Sequence, residues 1–305
     1  MSKSHRVIAN PAAGAEQDHD QLRKVVDDCL ACEIDFTEEA GDAHRFAEQA
    51  VKDRVDHVMV VGGDGTLFEV INGLRAASEG LTASDRPAVT LLPAGTGNDF
   101  ARNFDLDHNP DTALERMNSG RIQTVDLIRV EAEGCEPRWI INVANGGFGR
   151  QVADDVTSDV KQTWGAFAYL KVASGKLADS PVFDAQLAFD DENPQAVQCS
   201  AVLICNGRFV GGGRELLLAD DAEPSDRRFH VMTVTANTFY DRLATATKLL
   251  TRSHLDDPAV HVREARKLTL TADPAMGFTL DGEPCCQTPL TFTLEPAALR
   301  LTVPS

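Results

Sequence analysis

The sequence predicts an α/β protein in which a domain built on a parallel sheet precedes a β-rich antiparallel domain. Over roughly the first hundred residues, short apolar strands alternate with segments of helical period, the pattern of βαβ units. From about residue 125 that pattern gives way to short stretches of alternating apolar and polar residues separated by turns. The 305 residues are ample for a buried core, in one large domain or two ordinary ones.

The elements follow in order. "HRVIAN" (5–10) reads as a strand ended by Asn-Pro, and "EQDHDQLRKVVDDCLA" (16–31) as a helix through Leu22, Val25, Val26 and Leu30. "EIDFTEE" is a second strand and "GDAHRFAEQAVKD" a second helix. "VDHVMVVGG" is a buried strand. "TLFEVINGLRAAS" is a third helix with Leu67, Val70, Ile71 and Leu74 on one side, and "AVTLLPAG" is a fourth strand. The antiparallel half contains "VDLIRVEA", "RWIINVANGGF", "FDAQLAFD", "QCSAVLICNG", "RRFHVMTV", "KLTLTA", "GFTLDGE" and "LTFTLE". Helices over 164–178 and 238–251 interrupt it, the second with Phe239, Leu243, Ala246 and Leu250 on a stripe that reads as core packing. No Pro/Gly linker marks the boundary near 125–130.

Composition removes several classes. A net charge of −18 opposes nucleic-acid binding, which needs a basic face for phosphates. Eight lysines stand against 21 arginines, and acidic excess with so little lysine suits a salt-adapted surface. There, self-repulsion is screened within about 3 Å at 1 M salt. An ordinary acidic enzyme is the plainer alternative. No apolar run approaches the ~20 residues of a membrane span, and the N-terminus does not read as a signal peptide. Seven scattered cysteines without metal-type spacing point to a reduced cytosol.

The chemistry concentrates in two glycine turns. In "VVGGDGTLFEVINGL", residues Gly62, Gly63, Asp64 and Gly65 join a strand to a helix that is expected to start near Leu67. Thr66 and Glu69 have the spacing of a capping box. Such a turn sits at the carboxyl edge of a sheet, where α/β folds place ligands and free N–H groups attract anions. A carboxylate there repels phosphate unless a divalent cation intervenes, so Asp64 suggests Mg²⁺-nucleotide. A tight turn with an incidental Asp fits these residues equally well. "LLPAGTGNDFARNF" (91–104) repeats the arrangement, with Gly95, Thr96, Gly97, Asn98 and Asp99. Two acidic glycine turns after neighbouring strands tilt the balance towards a site. Neither is a Walker A loop or G-x-G-x-x-G.

"NPAAG" (10–14), "GGDGTLFEVINGL", "LPAGTGNDFAR", "NVANGGFG" (142–149), "CNGRFVGGG" (205–213) and "LDGEP" (280–284) occur together in one order. In this the chain resembles the diacylglycerol kinase-like lipid kinases, bacterial diacylglycerol kinases and sphingosine kinases among them. The likeness runs almost to the end, through "LEPAALRLTVP" (294–304).

The resemblance implies an ATP-binding α/β domain over 1–129, to which 288–305 returns. It implies a sandwich-like β-rich domain over 130–287 that carries the D-G-E motif, with the active site in the cleft between them. It implies ATP and Mg²⁺, and transfer of the γ-phosphate to a lipid hydroxyl at a membrane surface. The expected location is the cytoplasm, peripheral at the inner membrane face. A homodimer is left open. Asn10, Thr37, Gly62, Gly63, Asp64, Gly65, Thr66, Glu69, Thr96 and Asn98 fall at or beside positions that contact the nucleotide in the family. Glu283 matches the catalytic base, which would accept the hydroxyl proton. Asp281, two residues earlier, would share its strand face and assist at Mg²⁺. Taken alone, D-G-E-P reads as a hairpin turn. Asp64, Asp99 and Asp126 match an acidic network around the metal, although Asp126 alone would be a strand-start aspartate.

One segment departs from the family pattern. Where an accessory metal site is usual, the chain reads "EPSDRRFHV" (223–231). Asp226 stays and Glu223 offers a replacement ligand, while His230 is more simply a packed imidazole. No lysine accompanies "GGDGT", which leaves Arg102, Arg150 and Arg214 as nearby cations. Two other readings remain: a soluble-substrate kinase such as an NAD kinase, and a nucleotide-binding regulator without turnover.

Overall fold

The computed structural model describes residues 4–13, 33–147, 181–210, 216–219, 221–251 and 253–304. The helices expected over 16–31 and 164–178, and Arg150 and Arg214, lie outside these. The chain divides into two compact units, the first comprising Met1–Leu127, Phe209–Glu215 and Glu295–Ser305, and the second Ile128–Arg208 and Leu216–Leu294.

The first unit has the expected parallel sheet. Strands β1 (His5–Ala9), β2 (Glu33–Phe36), β3 (His57–Gly62) and β4 (Ala88–Pro93) lie in the order β2-β1-β3-β4, every pair parallel. Every residue of β3 and β4 is buried, which is why both read as continuous apolar runs. Helix α1 (Asp42–Lys52) buries Ala43, Ala47, Ala50 and Val51, a helical stripe. Helix α2 (Asp64–Ala77) buries the predicted Leu67, Val70, Ile71 and Leu74. The short α3 (Asp99–Arg102) and α4 (Pro110–Ser119) follow β4. Val7, Ala9, Met59, Val61 and Leu92 form one core with Ala113 and Met117 of α4. Full burial of each large apolar side chain contributes about 1.5–3 kcal/mol.

Arg6 ties the amino ends together. Its buried guanidinium bonds Asp35 of β2 at 2.5 Å and Asp53 after α1 at 2.9 Å.

Strand β5 (Arg121–Ala132) leads into the second unit, where it pairs with β6 (Arg138–Ile140). Next come β7 (Val143–Gly147), β8 (Phe183–Phe189), β9 (Gln195–Cys199), β10 (Ala201–Cys205) and the two-residue β11 (Phe209–Val210) and β12 (Leu216–Leu217). Then follow β13 (Phe229–Val234), α5 (Phe239–Leu250), β14 (Val260–Ala265), β15 (Lys267–Asp273), β16 (Gly277–Leu280), β17 (Glu283–Gln287) and β18 (Leu290–Val303). One sheet runs β14-β13-β10-β7-β16-β17, and β15 pairs with β8 and with the first part of β18, all antiparallel.

Two details differ from expectation. The return to the first unit begins inside β18, at Glu295 rather than at 288, where Arg300 and Leu301 pair in parallel with Ala88 and Val89. On α5, Phe239, Leu243 and Ala246 are only half-buried, and the buried positions are Arg242 and Thr245. Polar groups inside the fold explain this: Arg242 donates to Ala236 O and Thr245 to Asp257. No helix among the described residues is long and apolar enough to cross a membrane.

Candidate active site

Parallel register puts four turns on one edge. Ala9 stands opposite both Phe36 and Val61, and Gly62 opposite Pro93. Asn10, Thr37, Gly63 and Ala94 therefore leave the sheet side by side at its carboxyl edge. Backbone bonds carry the alignment past the strand ends, from Asn10 N to Val61 O, Thr37 N to Ala9 O and Ala94 N to Gly62 O, each 2.9 Å. The strand order reverses between β1 and β3, and ligands of open α/β sheets bind at such a switch point. Asn10 and Gly63 flank it. Asn10 bonds across it, its Nδ2 donating to Thr66 Oγ1 at 3.2 Å.

The two glycine turns touch. A Cβ on Gly95 would lie 2.5 Å from Gly63 Cα, so only bare backbone allows the approach. Helix α2 starts at Asp64, three residues before the expected Leu67, and Gly63 caps it with no side-chain bond. The expected capping box is therefore absent. Thr66 sits within the first turn, and both oxygens of Glu69 accept the Gly41 N–H at 3.1 Å. Uncapped amides at the start of a helix can receive an anion.

Asp64 joins the turns. Its Oδ2 accepts the Asp99 N–H at 3.0 Å and its Oδ1 the Phe100 N–H at 3.2 Å, which caps α3 in trans. Burial, and then the like charge of Asp99, raise the Asp64 carboxyl above its ordinary value. The two amides and the Arg102 guanidinium oppose the rise. Arg102 binds Asp99 at 3.0 Å, so of the three arginines considered it is the one seen beside these carboxylates. Asn98 was expected to contact the nucleotide, but its amide closes its own turn. Its Oδ1 accepts Gly95 N and its Nδ2 donates to Gly95 O, in a left-handed residue only 6% exposed. Thr96 is exposed at the tip.

In the second unit, Asp281 and Gly282 form the two-residue turn between β16 and β17, with Leu280 paired to Glu283. Positive φ at both, 48° and 94°, is the I′ geometry for which Asp-Gly is suited. Asp281 is thus not a strand neighbour sharing a face with Glu283. Its carboxylate accepts the N–H groups of Ile141, Asn142 and Val143 at 2.7–2.9 Å, which pins the hairpin to the start of β7. Three motifs meet here, because Asn206 Nδ2 donates to Ile141 O and Asn142 O accepts Asn206 N and Gly207 N. Glu283 itself is exposed at the head of β17.

The expected metal set is not gathered. Among the described residues no group of three or more His, Cys, Asp or Glu is arranged to hold an ion. Asp126, 3% exposed in the middle of β5, accepts Ala297 N at 2.7 Å and anchors the returning chain. Glu223 binds Arg208 at 2.6 Å, and Asp226 accepts Arg228 N within its own turn. His230 is packed on β13, 5% exposed, opposite Cys205. What remains is Asp64 beside Asp99. Two close like charges fit a cation carried by nucleotide phosphates, for which one or two carboxylates suffice.

Some supports were missed from sequence. Arg116 donates to Leu91 O at 2.8 Å and His108 bonds Pro93 O at 2.7 Å, so both brace the end of β4. An arginine on the apolar face between Ala113 and Met117 was the available signal. Asn142 and Asn206 had a similar one, as polar residues ending apolar runs.

Residues 4–130 match the diacylglycerol kinase catalytic domain, and residues 142–303 the YegS C-terminal NAD kinase beta sandwich-like domain. The "Probable lipid kinase YegS-like" of Xanthomonas oryzae pv. oryzae (strain MAFF 311018) is 33% identical over 313 residues, covering 100% of this chain and 98% of that protein. That of Stenotrophomonas maltophilia (strain K279a) is 30% identical over 312 residues, covering 98% and 96%. A solved structure of a diacylglycerol kinase from Bacillus anthracis str. Sterne shares the fold at TM-score 0.71 and 19% identity, over 99% of this chain and 97% of that one. With both domains in order along one chain, and relatives matched from end to end, this protein belongs to the YegS-like family of diacylglycerol kinase-like lipid kinases.

Proposed function

We propose that this kinase transfers the γ-phosphate of ATP to a hydroxyl of a membrane lipid, of diacylglycerol or dialkylglycerol type, working at the membrane surface. The observation that carries the ATP reading is the shared carboxyl edge, where Asn10, Thr37, Gly63 and the Gly95 turn leave four adjacent parallel strands. The uncapped amides at the start of α2 receive phosphate oxygens, and Asn10 and Thr66 border them. Arg102, bound to Asp99, offsets negative charge beside a "GGDGT" turn that has no lysine of its own. A divalent cation, when bound, neutralises the triphosphate, and Asp64 with Asp99 would hold it.

Glu283 takes the proton that the acceptor hydroxyl sheds. Asp281 is a positioning residue: its three backbone bonds fix the turn that presents Glu283. The lipid acceptor rests on the family and on the relatives' names.

The test is transfer from γ-labelled ATP, in molar salt, to a panel of glycerolipids, sphingoid bases and NAD. Label in a glycerolipid alone is expected. Label in NAD alone, or ATP binding with transfer to nothing, overturns the proposal.

A further inference from the structure

Strand β17 holds a β-bulge made of two cysteines. Its pairing with β16 passes from Pro284 opposite Thr279 to Gln287 opposite Gly277. Phe278 therefore faces two residues, Cys285 and Cys286. Adjacent side chains of a regular strand point to opposite faces, but a bulge sets two residues against one and breaks that alternation. The two Sγ atoms consequently lie 3.2 Å apart, as thiols. Cys285 is exposed and Cys286 half-buried. By contrast, Cys199 and Cys205 are buried, with thiols pushed up by burial to about 11 and about 12. Thiols so held are inert.

We propose that Cys285 and Cys286 form a reversible redox site that closes to a vicinal disulfide by exchange with a low-molecular-weight disulfide and displaces Glu283. The displacement rests on the kinase reading; the disulfide does not. The Cys285 thiolate attacks one sulfur of the disulfide RSSR, forming Cys285–S–S–R and releasing RS⁻. The released RS⁻ takes the Cys286 proton, and the Cys286 thiolate then attacks the Cys285 sulfur and expels the second RS⁻, which takes up the proton that Cys285 shed. Two thiols and RSSR become one internal disulfide and two RSH. The order follows from the surroundings. The bond with Cys285, burial, and the charges of Cys285 and Cys135 all hold the Cys286 thiol above its ordinary value, so it stays protonated until the second step.

Geometry makes this disulfide a switch rather than a staple. Cα atoms across one trans peptide are about 3.8 Å apart, closer than the about 4.4–6.8 Å that a relaxed disulfide spans. Strained and exposed disulfides are the readily reduced, regulatory ones. Closure must also reshape the bulge, one residue beyond Pro284 and two beyond Glu283. A shift of about 1 Å in a reacting group costs up to about 10²-fold in rate.

The experiment equilibrates the full chain with oxidised and reduced glutathione, alkylates it, and maps its peptides while following transfer. We expect one peptide carrying residues 285 and 286 to be lighter by two hydrogens and restored by dithiothreitol. Transfer should fall about tenfold or more with closure and return with reduction. Cys286→Ser should retain transfer under reductant and stop at a glutathione adduct on Cys285, whereas Cys135→Ser should close normally. Thiols that stay alkylatable in oxidised glutathione, or a bridge from Cys135, overturn the site. Closure without loss of transfer overturns the displacement. A reduced protein that transfers phosphate to nothing counts against the kinase reading, and the peptide map then judges the dithiol alone.

Discussion

The Asp64 carboxylate accepts the backbone N–H of Asp99 at 3.0 Å, so the acid of one glycine turn holds the start of the helix that follows the other. The two carboxylates repel each other across that contact, and the Asp64 carboxyl is raised by burial and by Asp99. Under the proposed function, a divalent cation brought by the nucleotide would relieve that repulsion.

Asp64→Asn relieves that repulsion, loses one of the two accepted amides, and on the proposed function also removes a charged ligand of the cation. Mg²⁺-ATP should raise the melting temperature of the wild type by several degrees, as binding to the folded state alone requires. The same addition should leave Asp64→Asn unmoved, as read by scanning calorimetry with and without nucleotide.

Gly95→Ala places a Cβ 2.5 Å from Gly63 Cα and must push the turns apart. Overpacking of this kind costs about 1–3 kcal/mol in urea unfolding. Separated turns should also weaken ATP binding by more than about tenfold, roughly 1.4 kcal/mol, by titration calorimetry.

Asp281→Ala leaves three backbone donors without their acceptor, at a cost of about 3 kcal/mol in stability. Because Asp281 positions Glu283, kcat should fall about 10²-fold while the KM for ATP stays unchanged. A rise in KM with kcat intact would show Asp281 acting on the nucleotide.

Asp42 tests the electrostatics of the fold away from catalysis. The Glu38 N–H, the Arg45 guanidinium and the Glu39 N–H lower its pKa from 3.8 to about 2. A depressed carboxyl stabilises the fold above its unfolded value, and that contribution is lost as pH falls from about 3.8 to about 2. Asp42→Asn should flatten the stability–pH curve in that window and leave its neutral-pH slope alone.

The parallel strands were legible because β3 and β4 are buried throughout, and an apolar run after a helical period has few other readings. The glycine turns were legible as a candidate site for the same local reason: bare backbone at a strand end. Side-chain employment was not legible. Thr66 and Glu69 have capping-box spacing, yet Thr66 bonds Asn10 and Glu69 bonds Gly41, partners 56 and 28 residues away in sequence. The D-G-E-P hairpin turn was legible from the residues alone, but not that the Asp281 carboxylate accepts Ile141, Asn142 and Val143, some 140 residues away in sequence. Asp126 likewise serves Ala297, 171 residues on. Spacing reports local geometry, and these partners are set by tertiary contact.

The most direct measurement is single-turnover γ-phosphate transfer to vesicle-borne dialkylglycerol by wild type and Glu283→Gln, with ATP affinity measured on the same samples. Loss of the proton acceptor should slow transfer by about 10²–10⁴-fold while ATP binds as tightly as to wild type. Transfer by Glu283→Gln at the wild-type rate would contradict the account.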